Sequence, residues 1–298
     1  MKKLRKTLLF LVVAFVFVLS GCGNDSGTPT DSKKTESDKD KDKDVTDKKD
    51  EETDDEDQNK DRSLDNVLDA HQFVLGLDAT FKPMGYTNED DEIVGFDIDV
   101  AEEVCARLGV DLVTQPINWD TKEQDLELGK IDCIWNGMSI NASREEKMNL
   151  SEPYMRNSMV FVVPNGSEIT KKKDLKGKNI AVQNGSSAQE ILEGSGIGKK
   201  VTEVSLATNI EALQQMEAGL VDAVFLDSVV ANYEINNSQK DYVILSDGLE
   251  EEEYAIGFRK GDQALRDKVQ QILHEMKEDG KLSEISTTWF GSDITTVK

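Results

Sequence analysis

The heptapeptide Gly129-Lys130-Ile131-Asp132-Cys133-Ile134-Trp135 returns 90 residues later as Gly219-Leu220-Val221-Asp222-Ala223-Val224-Phe225. In each copy a glycine stop precedes an acidic residue and a run of strand-forming apolar residues. A repeat at that distance is too long for a solenoid, so it predicts two lobes of similar α/β build. The copies end differently: the first runs into Asn136-Gly137-Met138-Ser139, the second into Leu226-Asp227. Ligands of open α/β sheets bind beyond the carboxyl ends of the strands. Two polar strand ends that face each other make a cleft.

After the first copy, the Asn136-Gly137 turn leads to a helix capped by Asn141 or Ser143, with Ser143 and Glu146 at capping-box spacing. Arg144 then falls in the first helical turn, near free backbone N–H groups and the Ser139 hydroxyl. Its five-donor fork suits a planar carboxylate there. A surface arginine paired with Glu145 or Glu146 is the alternative. In the second lobe, a strand over 177–182 runs into Asn184-Gly185-Ser186-Ser187 and a helix over 188–193, another seat for a carboxylate or phosphate. It lacks the lysine and spacing of a nucleotide P-loop.

The remaining pattern is alternating strand and helix. A strand over 73–77 is followed, after Gly95, by a helix with Ala101, Val104, Cys105 and Leu108 on one face and Gly109 as its stop. A strand over 110–113, a polar helix over 121–128 and a helix over 211–218 complete the two halves. Apolar runs over 159–163 and 254–258 read as the two crossings between lobes. Asp262 is expected to cap a long helix that buries Leu265, Val269, Ile272 and Met276, and the chain returns to the first lobe at Trp289-Phe290-Gly291. The expected organisation is a first lobe over 63–160, a second over 161–253 and a return over 254–298.

The net charge of −24 argues against a nucleic-acid partner. Lys2, Lys3, Arg5 and Lys6 precede an apolar run over 8–19 that is too short to span a bilayer. Leu19-Ser20-Gly21-Cys22 resembles the bacterial lipobox, so residues 1–21 are expected to be an export signal and Cys22 a lipidated N-terminus. Residues 24–62 hold 16 acids and 9 bases with almost nothing apolar, which makes 22–62 a solvated tether. The expected location is the extracytoplasmic face of the cell membrane, anchored by two or more acyl chains. Cys105 and Cys133 could pair there or stay free and buried. His71 and His274 are isolated, and neither a metal site nor a cofactor is expected.

From about residue 73 to residue 291 the chain resembles the amino-acid-binding branch of the bacterial ABC-transporter extracellular solute-binding proteins. The resemblance rests on Gly76-Leu77-Asp78-Ala79-Thr80-Phe81, Val94-Gly95-Phe96-Asp97-Ile98-Asp99, Asn136-Gly137-Met138-Ser139-Ile140 with Arg144, and Leu150-Ser151-Glu152-Pro153-Tyr154. Asp174-Leu175-Lys176-Gly177-Lys178, both repeat copies, Asp227 and the final Trp289-Phe290-Gly291 complete it. It implies the periplasmic-binding-protein type II fold: two α/β lobes joined by two hinge crossings, with the ligand cleft between them. It also implies a monomeric binding protein, not an enzyme, that closes on a free polar amino acid and delivers it to an ABC permease and its ATPase.

The resemblance carries site roles with it. Arg144 would grip the ligand α-carboxylate, helped by donors at Ser139 and Ser187, and Asp227 would take the α-ammonium. Phe81 and Trp119 would sandwich the side chain. Asp78 and Asn136 would lie near its far end, with Gln183 reaching in from the second lobe, and Gly137 would allow close backbone approach. Each position also has a plainer role: Asp227 or Ser187 as a helix cap, Phe81 and Trp119 as core, Asp78 as a strand-end structural residue. Lysine, arginine, histidine, glutamine and cystine all suit these groups, and the acidic run over 250–253 favours the cationic ones. Two departures stand out, the polar Thr121-Lys122-Glu123-Gln124 and the bulky Trp135. A dehydratase-like enzyme and a sensing lobe for a partner receptor are the competing functions.

Overall fold

A computed structural model of the chain describes residues 60–247 and 250–298. The expected export signal, Cys22 and the tether up to residue 59 lie outside the described residues.

The two repeat copies occupy the same place in two sheets. In the first sheet the order is Asp111–Pro116, Gln72–Leu77, Cys133–Ile134, Gly257–Phe258, Asn149–Leu150. In the second it is Thr202–Leu206, Asn179–Gln183, Ala223–Asp227, Met155–Pro164, Tyr242–Ile244. Each repeat strand is third, parallel to the strand before it and antiparallel to the one after. The acidic residue of the repeat explains part of this. Asp132 Oδ2 accepts from Val74 N at 2.8 Å and Asp222 Oδ2 from Asn179 N at 2.8 Å, so each pins the start of its parallel neighbour. The preceding glycines share a left-handed conformation, φ +69° at Gly129 and +71° at Gly219, that ends each short helix cheaply.

Helices cover both sheets. Phe73, Leu75 and Leu77 pack in one apolar cluster with Val104, Ile272 and Met276. In the second lobe Phe161, Ile180, Val182 and Phe225 pack with Leu175, Ala188 and Leu192, and the Phe161 and Phe225 rings stack at 4.2 Å.

The lobes are joined by an antiparallel ribbon. Residues 155–159 of the strand Met155–Pro164 pair with Glu250–Tyr254, Met155 opposite Tyr254 and Met159 opposite Glu250. The apolar runs read as crossings are therefore mostly sheet strands just beyond the crossing itself, since consecutive apolar residues report burial on both faces. The C-terminal segment lies along the start of the ribbon, where Thr296 N donates to Tyr154 O at 2.9 Å and Val297 is buried.

Asp262 does not cap the helix Gln263–Glu278. Its carboxylate lies 2.7 Å from Arg259 Nε. The free N–H groups of that helix go instead to Asp61 Oδ2, from Ala264 N at 2.5 Å, and to Ser63 Oγ, from Leu265 N at 3.1 Å. The end of the tether and the helix Ser63–Ala70 are thereby fastened to the first lobe. Cys105 and Cys133 are free and buried.

Candidate functional site

Between the lobes lies a small, nearly filled cavity. From the first lobe Phe81, Trp119, Asn136, Gly137, Ser139 and Arg144 reach it; from the second, Gln183, Ser187 and Asp227 do. Asp78 stands behind Gln183, whose Nε2 donates to Asp78 Oδ2 at 2.7 Å. All the sequence-assigned positions except Asp78 thus line one place, and Asp78 is reached through Gln183. Met159 and Ser186 complete the lining.

Local capping decides which side chains point inward. Asn141 Oδ1 accepts from Arg144 N at 2.9 Å and so caps the helix Ala142–Lys147, leaving Ser143 inside it. Arg144 is 2% exposed, and its guanidinium bonds go to carbonyl oxygens rather than to Glu145 or Glu146. Its Nη1 donates to Ser139 O at 2.6 Å and its Nη2 to Gly185 O at 3.5 Å, while Nε has no acceptor. Burial pulls its pKa down, against the nearby Glu190, Glu123, Glu252 and Asp227. Ser186, not Ser187, caps the helix Ser187–Gly194, accepting from Gln189 N at 3.1 Å. Ser187 Oγ is therefore free to enter the cleft, and it donates to Glu252 Oε1. Ser139 Oγ donates to Glu252 Oε2 at 2.9 Å.

On the opposite side, Asp227 makes no cap to the helix Ser228–Asn236. It accepts from Asn157 Nδ2 at 2.8 Å and from the Tyr254 hydroxyl at 2.5 Å. Burial, and then the neighbouring Glu252, push its carboxyl up to about 7. Asp78 accepts from Thr80 N at 3.0 Å, Thr80 Oγ1 at 2.7 Å and Gln183 Nε2 at 2.7 Å, all neutral donors. Asn136 Oδ1 accepts from Asp78 N at 3.1 Å, and its buried Nδ2 has no acceptor.

Gly137 forms the floor with φ +57°, where an added Cβ would lie 2.8 Å from Phe81 Cε1. Its N–H donates at 2.7 Å to the fully buried Asp97, which also takes the Tyr154 hydroxyl at 3.0 Å. Burial raises the Asp97 carboxyl to about 7.

Several residues here were not assigned from the sequence. Lys122, 2% exposed in a helix that reads as solvent-facing, donates to Trp119 O at 3.1 Å and across the cleft to Gly185 O at 2.9 Å. Burial, and then Arg144, lower its pKa to about 8. Glu252 reads in sequence only as part of an acidic field, although strand alternation puts it on the same side as Tyr254. Lobe-to-lobe bonds such as Asn141 Nδ2 to Glu190 Oε2 at 2.7 Å hold the cleft closed. Among the described residues no cluster of histidine, cysteine, aspartate and glutamate is built to hold a metal ion. The arrangement presents a buried arginine with an unused donor and a buried carboxylate with neutral partners, on opposite sides of one small cavity.

Residues 73–292 match the family described as bacterial extracellular solute-binding proteins, family 3. The L-cystine-binding protein TcyA of Bacillus subtilis (strain 168) is 32% identical over 224 residues, covering 74% of this chain and 82% of that protein. Tv2483 bound to L-arginine superposes with a TM-score of 0.77 at 29% identity, covering 80% of this chain and 98% of its own. An ABC uptake transporter substrate-binding protein from Streptococcus pneumoniae with bound histidine gives a TM-score of 0.74 at 37% identity, covering 79% and 98%.

Proposed function

The chain belongs to the bacterial extracellular solute-binding proteins, family 3, and from that premise we propose that it captures a free polar amino acid by cleft closure and delivers it to the permease and ATPase of an ABC importer. One observation carries the reading: Arg144 and Asp227 face one cavity from different lobes, each buried, each bonded only to neutral groups. A zwitterion supplies one charge to each, and only the closed cleft satisfies both ends, so the ligand itself favours closure. Ser139 and Ser187 add a hydroxyl from each lobe to the carboxylate end. Phe81 and Trp119 give apolar contact to the side chain without dictating its identity.

At the far end the Asp78 carboxylate meets only neutral donors. A side chain bearing a cation or several N–H groups offsets it best, which favours arginine, lysine or histidine, with glutamine and cystine next. The named relatives bind L-cystine, L-arginine and histidine, in keeping with this range. No step of bond making or breaking is required. A lipid on Cys22 and the charged tether over 22–62 would keep the lobes at the extracytoplasmic membrane face, within reach of the permease.

Thermal unfolding of the purified chain against each free amino acid and cystine tests the reading. A ligand present at 100 times its dissociation constant adds about 2.7 kcal/mol and visibly raises the midpoint. Arg144→Ala and Asp227→Ala should each abolish the rise. A wild-type midpoint that no amino acid moves would defeat the proposal, and turnover of a bound ligand would shift the case to an enzyme.

A further inference from the structure

We propose that Glu252 is a built-in competitor for the ligand carboxylate: its side chain occupies the serine half of the carboxylate seat and has to leave before an amino acid is fully bound. The inference rests on the reading of the cleft as an amino-acid site.

The ribbon places Glu252 where it can do this. It lies opposite Asn157 in register, and the neighbouring segment is laced to the first lobe by Ile140 N to Glu253 O at 2.8 Å and Ala255 N to Met138 O at 2.9 Å. Ser139 is thus held beside the ribbon, and closure brings Ser187 to the same carboxylate. Both hydroxyls donate to it, one from each lobe, with Asn157 Nδ2 a weaker third donor at 3.4 Å. A hydroxyl has a single proton to donate. Ser139 and Ser187 cannot serve Glu252 and a ligand carboxylate together, so the two occupants exclude each other.

The seat is only half taken. Arg144 makes no ion pair with Glu252, and its buried Nε has no acceptor. A carboxylate carried by a ligand reaches both serines and adds a charge-assisted bond to the guanidinium that Glu252 lacks. It therefore displaces Glu252. Glu252 is half-buried and also borders an open groove lined by Ile140, Arg156, Ser158, Glu251 and Glu253, so water adjoins it. Glu252 in this role bridges the lobes in place of a ligand and lowers the affinity for one.

Calorimetric titration of L-arginine, L-histidine and L-cystine into wild type, Glu252→Gln and Glu252→Ala, with small-angle scattering of each protein before titration, tests this. The glutamine variant keeps the shape of the side chain, and circular dichroism confirms that each protein is folded. Removing the competitor should tighten binding of the accepted amino acid about tenfold, one charge-assisted bond's worth. It should also open the lobes before titration. Unchanged or weaker binding by both folded variants, with wild type still binding, overturns it and leaves the amino-acid reading intact, because Glu252 is then a bystander or a ligand contact. If none of the three amino acids binds any folded form, the amino-acid reading fails and this inference fails with it.

Discussion

Binding of L-arginine should weaken steeply below pH 7, with Asp227 setting the slope. The Asp227 carboxylate is 5% exposed, bonded to Asn157 and the Tyr254 hydroxyl, and close to Glu252. Burial first and Glu252 second raise it to about 7, against the lowering effects of the Tyr254 hydroxyl bond and Arg144. An ammonium seated on that carboxylate favours its charged form, so the complex holds fewer protons than the free protein and binding releases one. Affinity therefore rises with pH and levels off above about 7. Each pH unit below that leaves roughly a tenth as much ionised Asp227, so Kd increases about tenfold per unit, or ~1.4 kcal/mol. The groups of arginine itself do not titrate between about pH 5 and 6.5, which keeps that part of the profile a property of the protein. Titration calorimetry across that window, in buffers of different ionisation enthalpy, reads both the affinity and the released proton. Asp227→Asn should bind more weakly at every pH and show no slope. A flat wild-type profile, or a slope that survives in Asp227→Asn, would refute the assignment.

Gly137→Ala should cost about 2–4 kcal/mol in urea unfolding, since a φ of +57° is strained for alanine and its Cβ would meet Phe81 Cε1 at 2.8 Å and Tyr254 Cε2 at 3.1 Å. Asp97 rises from 3.8 to about 7 on folding, so the folded state holds the extra proton between those values. Its stabilisation is full below about pH 4 and lost as pH rises through 7, worth roughly 4 kcal/mol. Urea midpoints at acid and alkaline pH should show that loss in wild type, and Asp97→Asn should reduce it. Cys22→Ser should move the protein from the detergent phase to the aqueous phase in a phase-partition assay and stop incorporation of labelled palmitate.

The residues that could be read from the sequence are those whose role is local or repeated. The repeat marks two equivalent strands because Asp132 and Asp222 perform the same backbone task in both lobes. The glycine turn, the serine junction and the lone strand-end aspartate lie beside the elements that aim them, so Arg144, Ser187 and Asp227 converge as read. Roles set by distant chain were hidden. The long helix takes its cap from Asp61 and Ser63, roughly two hundred positions upstream, so the adjacent Asp262 was a reasonable but mistaken choice. The crossing is hidden in the sequence because the ribbon pairs Arg156-Asn157-Ser158 with an acidic strand, a composition that reads as loop. Lys122 and Glu252 are hidden for the same reason: charge reads as solvent exposure until a partner appears across the cleft.

That partner chemistry separates a binding cleft from a structural salt-bridge network. A fold that merely buries opposite charges brings them together, because an unpaired buried ion is expensive and a pair less so. Here no ion pair joins Arg144 to Asp227, although both line one small cleft, nor to Asp78 behind it. Arg144 is met by carbonyl oxygens, Asp227 by an amide and a phenol, and Asp78 by a hydroxyl, a backbone N–H and an amide. Those neutral bonds orient each ion and soften its desolvation without cancelling its charge. What completes such a set has an anion, a cation and a polar or cationic tail in one molecule, which is the description of a polar amino acid.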